Sequence, residues 1–427
     1  MHPYTVLGLS ACITAAMAKG GSLLPQSSPV FLDDVPRPTG VATAAPEKPY
    51  PTGALDMSFK IDVTKYPTTK QIPPVDTEQV KKAVAAIDWS KVPNIAPRKK
   101  LATGDFDLKS YDNIKDPDCW WSATICKRPK LDYLPPDYYM CPTVGDWGLN
   151  YDDGPLNPFH FDNPEEWAEP ALYDTLTKAN QTATLFYIGS YVVTFPTAAQ
   201  RALNSGNVLC SHTWSHKQMT TLTNEQLVAE FYWSLRAIKE ATGVTPKCWR
   251  PPFGDVDDRV RAIAHQMGMR TFIWDQDSFD WNIGPSTPAS QVDGHFEKWI
   301  SDRHANLDNE HGHVTLQHEL NADTVHNAIK WLPQVVKNFN VMPIHQCLDD
   351  TSPYWEEAFV YPKRDGTVPG KAAKAGNSSQ PVKSPGAGAG AAGDVNSNVS
   401  KESSASHLQF TLLPGIIATA ILHSIFM

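Results

Sequence analysis

Five short strings along the chain hold residues able to act as acids, bases or metal ligands. The first, Leu149-Asn150-Tyr151-Asp152-Asp153-Gly154-Pro155, ends an apolar run in two adjacent carboxylates and a turn. Neighbouring residues on a strand point to opposite faces, but a turn can aim both at one cavity. Two close carboxylates call for a cation beside them. The second, Ser211-His212-Thr213-Trp214-Ser215-His216, sets two histidines four apart, the spacing that brings both to one face of a helical turn and lets them grip one metal. Thr213 stands where a HExxH motif has its Glu, so a third ligand and a base must come from elsewhere; Asp153 and Asp152 are candidates. Two His and one carboxylate leave a position open for water, the pattern of catalytic zinc.

The third string is Arg250-Pro251-Pro252-Phe253-Gly254-Asp255. Its Arg is expected to hold a carboxylate in a bidentate grip. Its prolines fix the backbone and remove donors, so the Phe253 N–H is the next one free to be aimed at a ligand. The fourth and fifth are Trp274-Asp275-Gln276-Asp277-Ser278-Phe279-Asp280-Trp281 and Thr315-Leu316-Gln317-His318. A histidine paired with Asp is held in its charged form, which suits a proton donor.

These strings need strand ends to carry them. Apolar runs at Trp147–Tyr151, Thr184–Ile188, Asn207–Cys210, Lys247–Trp249, Thr271–Trp274, His313–Leu316 and Val341–Ile344 are predicted strands. Helical patterns fall between them at 164–178, 224–241, 257–267, 291–305 and 322–338. The 224–241 segment opens on a capping box, Thr223 with Gln226. Alternating strands and helices predict an α/β fold, a distorted (β/α) barrel of about seven parallel strands, with an open doubly wound sheet as the alternative.

The rest of the 427-residue chain reads as targeting and spacer. An apolar run closed by Ala16-Met17-Ala18 predicts a signal peptide at 1–18. Residues 19–104, rich in Pro, Thr and Ala, are expected to be a leader or pro-region with one short helix near 77–87. The catalytic domain is expected at 105–363 and a Gly/Ala/Ser-rich stalk at 364–398. The small residues, polar spacer and apolar tail over 399–427 predict a GPI-attachment signal, with attachment at Asn396, Ser397 or Asn398. Sequons mark Asn180, Asn377 and Asn398 for glycosylation. Six cysteines beyond Cys12 predict disulfides in an oxidising compartment, with fifteen pairings open. A net charge of −9 without a basic patch excludes nucleic acid as the expected partner.

Taken together and in this order, the five strings resemble the polysaccharide deacetylases of the NodB-homology type, carbohydrate esterase family 4, and among them the fungal GPI-anchored members that act on chitin. The resemblance covers about Trp147 to Ile344. It implies metal-dependent removal of N-acetyl groups from chitin or its oligomers, giving chitosan and acetate, by a secreted monomer anchored at the membrane and cell wall. It implies Asp152 as general base and Asp153, His212 and His216 as ligands of one divalent metal, Zn²⁺ or alternatively Co²⁺. Arg250 would orient the base, His318 would act as general acid and Asp280 would tune it. Phe253 would bind the oxyanion through its N–H, and Trp281, Leu316 and Trp274 would line the substrate pocket. Two positions depart from the family pattern: Asn150 replaces a Thr or Ser, and Glu319 follows His318 where Asp is frequent. Neither change removes a reacting group. The rival readings are deacetylation of acetylxylan or peptidoglycan, a non-catalytic glycan-binding wall protein, and a glycosidase using Asp152 and Asp280.

Overall fold

The structure, a computed structural model, describes residues 28–32, 35–46, 59–156 and 169–370. The expected signal peptide, the anchor signal, Asn377, Asn396, Ser397 and Asn398 lie outside the described residues.

Nine strands occur among the described residues: β1 (Met140–Cys141), β2 (Asp146–Gly154), β3 (Thr184–Tyr187), β4 (Val208–Ser211), β5 (Cys248–Trp249), β6 (Arg270–Thr271), β7 (Gln276–Asp277), β8 (Gly312–Leu316) and β9 (Asn340–Pro343). The helices are α1 (Glu78–Ala85), α2 (Trp121–Thr124), α3 (Glu169–Lys178), α4 (Gly189–Thr194), α5 (Pro196–Asn204), α6 (Asn224–Thr242), α7 (Asp258–Gln266), α8 (Ala289–His304), α9 (Ala322–Asn338) and α10 (Ile344–Cys347).

Seven strands pair in parallel in the order β7-β8-β2-β3-β4-β5-β6. The two ends of this sheet, β6 and β7, are separated in sequence by residues 272–275 alone, so the sheet must curl. No ladder joins β6 to β7 among the described residues. The expected barrel is thus an incomplete one with a seam. The chain just before β2 crosses that seam. Tyr138 exchanges main-chain bonds with Thr271 and Ile273 on one side, and Met140–Cys141 pairs antiparallel with β8 on the other. The run predicted at 341–344 is a strand, but it pairs with the first half of β2 rather than extending the order. The seventh member is β7, two polar residues inside the fourth motif, too short to carry a periodic signal.

Burial follows from this topology. All nine residues of β2 are buried, because ladders occupy both edges and structure covers both faces. Trp147 packs on Phe339, Trp299 and Phe296 with ring centroids 4.8, 5.5 and 6.4 Å apart, fixing α8 and α9 against the sheet. The capping box at Thr223 is formed, and Gly243 closes α6 with φ 74°. This helix is buried nearly all round, wedged among α1, α4, α5 and α7. Residues before 105 also enter the same core: Ile61, Val80, Ala83 and Ile87 are buried in it.

The six cysteines form Cys119–Cys126, Cys141–Cys347 and Cys210–Cys248. The second spans 206 residues and ties β1 at the seam to α10. Closing so long a loop restricts the unfolded chain strongly. Replacing Cys141 and Cys347 together by Ser should lower stability by about 2–5 kcal/mol, read as a lower midpoint in urea unfolding; an unchanged midpoint would show that the bridge adds nothing.

Candidate active site

The catalytic-type residues cluster where the parallel strands end. Strand β2 does not stay regular to its tip. Its pairing with β3 shifts between Asp152 and Gly154, and Asp153 adopts φ 73°. This bulge cancels the alternation that would send adjacent side chains to opposite faces. Both carboxylates therefore reach His212: its Nε2 lies 3.4 Å from Asp153 Oδ1 and 3.9 Å from Asp152 Oδ2.

His212 follows β4 directly, and its Nδ1 lies 2.8 Å from the Arg250 carbonyl. That contact assigns the proton to Nδ1 and leaves the Nε2 lone pair facing Asp153. His216 Nε2 lies 3.2 Å from the same Asp153 oxygen. The expected helical turn between the two histidines is not formed. Thr213 and His216 instead hold left-handed φ values of 63° and 56° in a loop, and this turn brings the rings together. Burial pushes His216 down to about 4. Burial also works against the Asp153 carboxylate, but His216, His212 and His318 outweigh it and hold its pKa below the ordinary value.

A metal fits this group. Asp153 Oδ1 is buried with no hydrogen-bond partner, although two imidazole nitrogens face it. Electron-rich atoms set against one another in this way need a cation between them. Two His nitrogens and one carboxylate oxygen are a donor set for a divalent metal with an open position.

Arg250 is fully buried at the end of β5, its guanidinium 4.0 Å from the Phe186 ring centroid. The expected bidentate grip is not what forms. Nη1 alone donates to Asp152 Oδ1 at 2.7 Å and to Asn150 Oδ1 at 2.6 Å, while Nη2 donates to the Ile273 carbonyl at 3.1 Å. Asn150 in turn donates to the Gly148 carbonyl at 2.7 Å. The residue that departs from the family pattern thus helps to hold the arginine on Asp152.

His318 sits beyond β8, opposite Asp152 in a parallel bridge. Its Nδ1 lies 2.6 Å from Asp280 Oδ1, and its main-chain N–H donates to Asp280 Oδ2 at 2.8 Å. Burial alone would lower the pKa of His318. Asp280, with Asp153 and Asp152 behind it, reverses the sign and raises it to about 10. Ser278 anchors the Asp280 turn by donating to the Leu316 carbonyl at 2.7 Å. Around the group, Phe253 and Trp281 are exposed, Leu316 is buried, and Trp274 lies against Trp121 at 4.9 Å. Phe253 also packs on His216 with centroids 4.7 Å apart.

Sequence reasoning missed Glu230, fully buried on α6. Its Oε2 accepts the Trp214 and Ser215 N–H groups at 2.9 and 2.8 Å, and its Oε1 accepts the Ser215 hydroxyl at 2.5 Å. Burial pushes this carboxyl up to about 7. A buried Glu among apolar helix residues is the one signal that could have flagged it. Asp255 does similar work for the third motif, accepting from Trp120 Nε1, Ser122 and Thr220. Because Glu230 fixes the loop that carries both histidines, Glu230→Gln should weaken metal binding about 10–100-fold with the fold retained. Competition against a chelator measures this, and an unchanged affinity would rule out the positioning role.

The family model described as polysaccharide deacetylase matches residues 140–272. A chitin deacetylase of Amylomyces rouxii is 41% identical over 273 residues, which span 64% of this chain and 62% of that protein. Chitin deacetylase 2 of Cryptococcus neoformans var. grubii is 38% identical over 316 residues, 72% of this chain and 67% of that protein. The solved chitin deacetylase of Colletotrichum lindemuthianum aligns with a TM-score of 0.45 at 22% identity, over 53% of this chain and 98% of that one. With motifs, site and relatives in agreement, the chain belongs to the polysaccharide deacetylases of carbohydrate esterase family 4.

Proposed function

We propose that this protein hydrolyses the N-acetyl groups of chitin, releasing acetate and leaving free glucosamine units. The observation that carries the reading is the bulge at Asp152-Asp153, which turns a base and a metal ligand into one cavity. Asp153, His212 and His216 would hold one Zn²⁺, or Co²⁺ in its place. Once bound, the ion supplies a Lewis-acid charge that acidifies water and favours developing negative charge.

The remaining steps belong to the chain's own groups. Asp152, aimed by Arg250, accepts a proton from the attacking water. The Phe253 main-chain N–H donates to the acetamide oxygen as charge grows there. His318 gives its proton to the departing amine, which leaves poorly without one. Asp280 holds the His318 ring by Nδ1, so Nε2 is the nitrogen that delivers the proton. Trp281, Trp274 and Leu316 line the sugar site; exposed aromatic faces suit neutral sugar rings. The curated relatives' names favour chitin over acetylxylan or peptidoglycan.

Three disulfides support passage through an oxidising compartment. We also infer a GPI anchor at Asn396, Ser397 or Asn398, and glycans on Asn180, which is exposed after α3, and on Asn377 and Asn398. The enzyme acts as a monomer at the membrane and cell wall. Release from membranes by a phosphatidylinositol-specific lipase tests the anchor; resistance to it would favour an ordinary tail.

Asp152→Asn and His318→Ala should each reduce acetate release from chitin oligomers by about 10²–10⁴-fold, and near-normal activity in either would overturn its role. His318 must be protonated to act, so activity should fall as pH rises through about 10. Its pairing with Asp280 likewise stabilises the fold fully below the ordinary His pKa and is lost through that same rise. Asp280→Asn removes the main raising influence and should move the alkaline limb of the rate profile toward neutrality; an unmoved limb would assign it to another group.

A further inference from the structure

The segments around β7 and β8 that bear Asp280 and His318 carry a second histidine–carboxylate pair, Asp275 and His313, five residues upstream in each case. At the usual strand rise this pair lies about 16 Å from the first, toward the opposite end of the sheet. Asp275 stands within the fourth string, but neither it nor His313 has a part in the deacetylase site.

The pair is part of a larger group. His313 Nδ1 lies 2.5 Å from Asp275 Oδ2, and His313 Nε2 lies 2.9 Å from Asp308 Oδ1. His311 Nδ1 lies 3.9 Å from Asp275 Oδ2 and 2.8 Å from the Gly312 carbonyl. Asp275 Oδ1 is occupied, accepting the Val314 N–H at 2.7 Å, so its other oxygen is the one left for the histidines. Asp308 has a side chain only 9% exposed, and its Oδ2 is buried without a hydrogen-bond partner. A cavity of about 200 Å³ opens beside the group and gives it a path to solvent.

Two carboxylates face two imidazoles, with the Lys127 ammonium within electrostatic reach of Asp275. One carboxylate oxygen still lies buried without a partner, a costly arrangement. Ligand atoms of Asp275, His311 and His313 already lie within 4.8 Å of one another. Asp308 holds the far nitrogen of His313, the way carboxylates aim ligating histidines at a metal. Mixed imidazole and carboxylate donors suit Zn²⁺ better than Ca²⁺ or Mg²⁺, which take oxygen ligands.

We propose that Asp275, His311 and His313 form a second divalent-metal site, suited to Zn²⁺, with Asp308 orienting His313. An ion there joins the loop after α8 to the starts of β7 and β8, beside the seam of the sheet. Its role is to brace that edge rather than to take part in the reaction.

The test is zinc content per chain, measured on the full-length protein by mass spectrometry after equilibration with Zn²⁺ and removal of excess. The expected result is two equivalents in the wild type and one in His311→Ala or Asp275→Asn, with acetate release retained in His311→Ala. In a His216→Ala background, zinc should still raise the unfolding midpoint, and adding His311→Ala should abolish that rise. A single equivalent in the wild type would overturn the proposal. So would a second equivalent that persists in both variants. Should Asp275→Asn fail to fold, the partly exposed His311 still decides the matter.

Discussion

A carboxylate buried without a partner is unstable, and this protein buries Asp152, Asp153, Glu230, Asp255 and Asp280 around one end of its sheet. The local architecture is the means of partnering them. Arg250 answers Asp152, His318 answers Asp280, three main-chain and hydroxyl donors answer Glu230, and donors from three residues answer Asp255. Asp153 is the exception, with an oxygen that only histidine nitrogens approach. Pairing of the other four concentrates the unmet demand for positive charge at this end of the sheet on that one atom, which is where a metal-dependent hydrolase needs it.

The same logic explains why the chain upstream of residue 105 belongs with the site. Tyr66 stacks on Trp214 at 5.7 Å, and Trp214 Nε1 donates to the Thr68 carbonyl at 3.4 Å. Arg98 accompanies them, donating its main-chain N–H to Thr220 and its guanidinium to Asp118 and Asp257. The histidine-bearing loop is therefore pinned from below by Glu230 and from the side by residues whose Pro-rich composition suggested only a spacer. Composition reports average behaviour, whereas Ile61, Val80 and Ala83 are buried through individual contacts that it does not record.

What the sequence revealed and what it concealed have physical causes. The five strings were legible because hydrolysis needs particular residue types, and the long strands because their apolar runs are continuous. Strand β7 was hidden because it is two polar residues, and α4 because it is a single run of six. The geometry of the motifs was hidden for another reason. Asp153, Thr213, His216, Phe253 and Phe279 all have positive φ, and none is glycine. Each costs of order 1–3 kcal/mol, so only the surrounding packing holds it, and local propensity gives no warning. Arg250 does reach a carboxylate, but its division between Asn150 and Asp152 depends on a bulge that no periodicity encodes.

The seam between β6 and β7 has a consequence for how the fold can vary. A barrel closed by hydrogen bonds all round has a circumference fixed by its ladders. Here β6 and β7 share no ladder, and between them Trp274 meets Trp121, which is close against Gly254, where a methyl group would meet the ring at 2.5 Å. The ring of strands is split, and residues 138–141 bridge its gap by main-chain bonds to either side. Bulk exchanged at those indoles changes the packing at the gap while leaving Asp152, Asp153 and His318 on strands β2 and β8 and their flanks. Packing at the seam and the geometry of the acid and base groups can then vary on separate parts of the molecule.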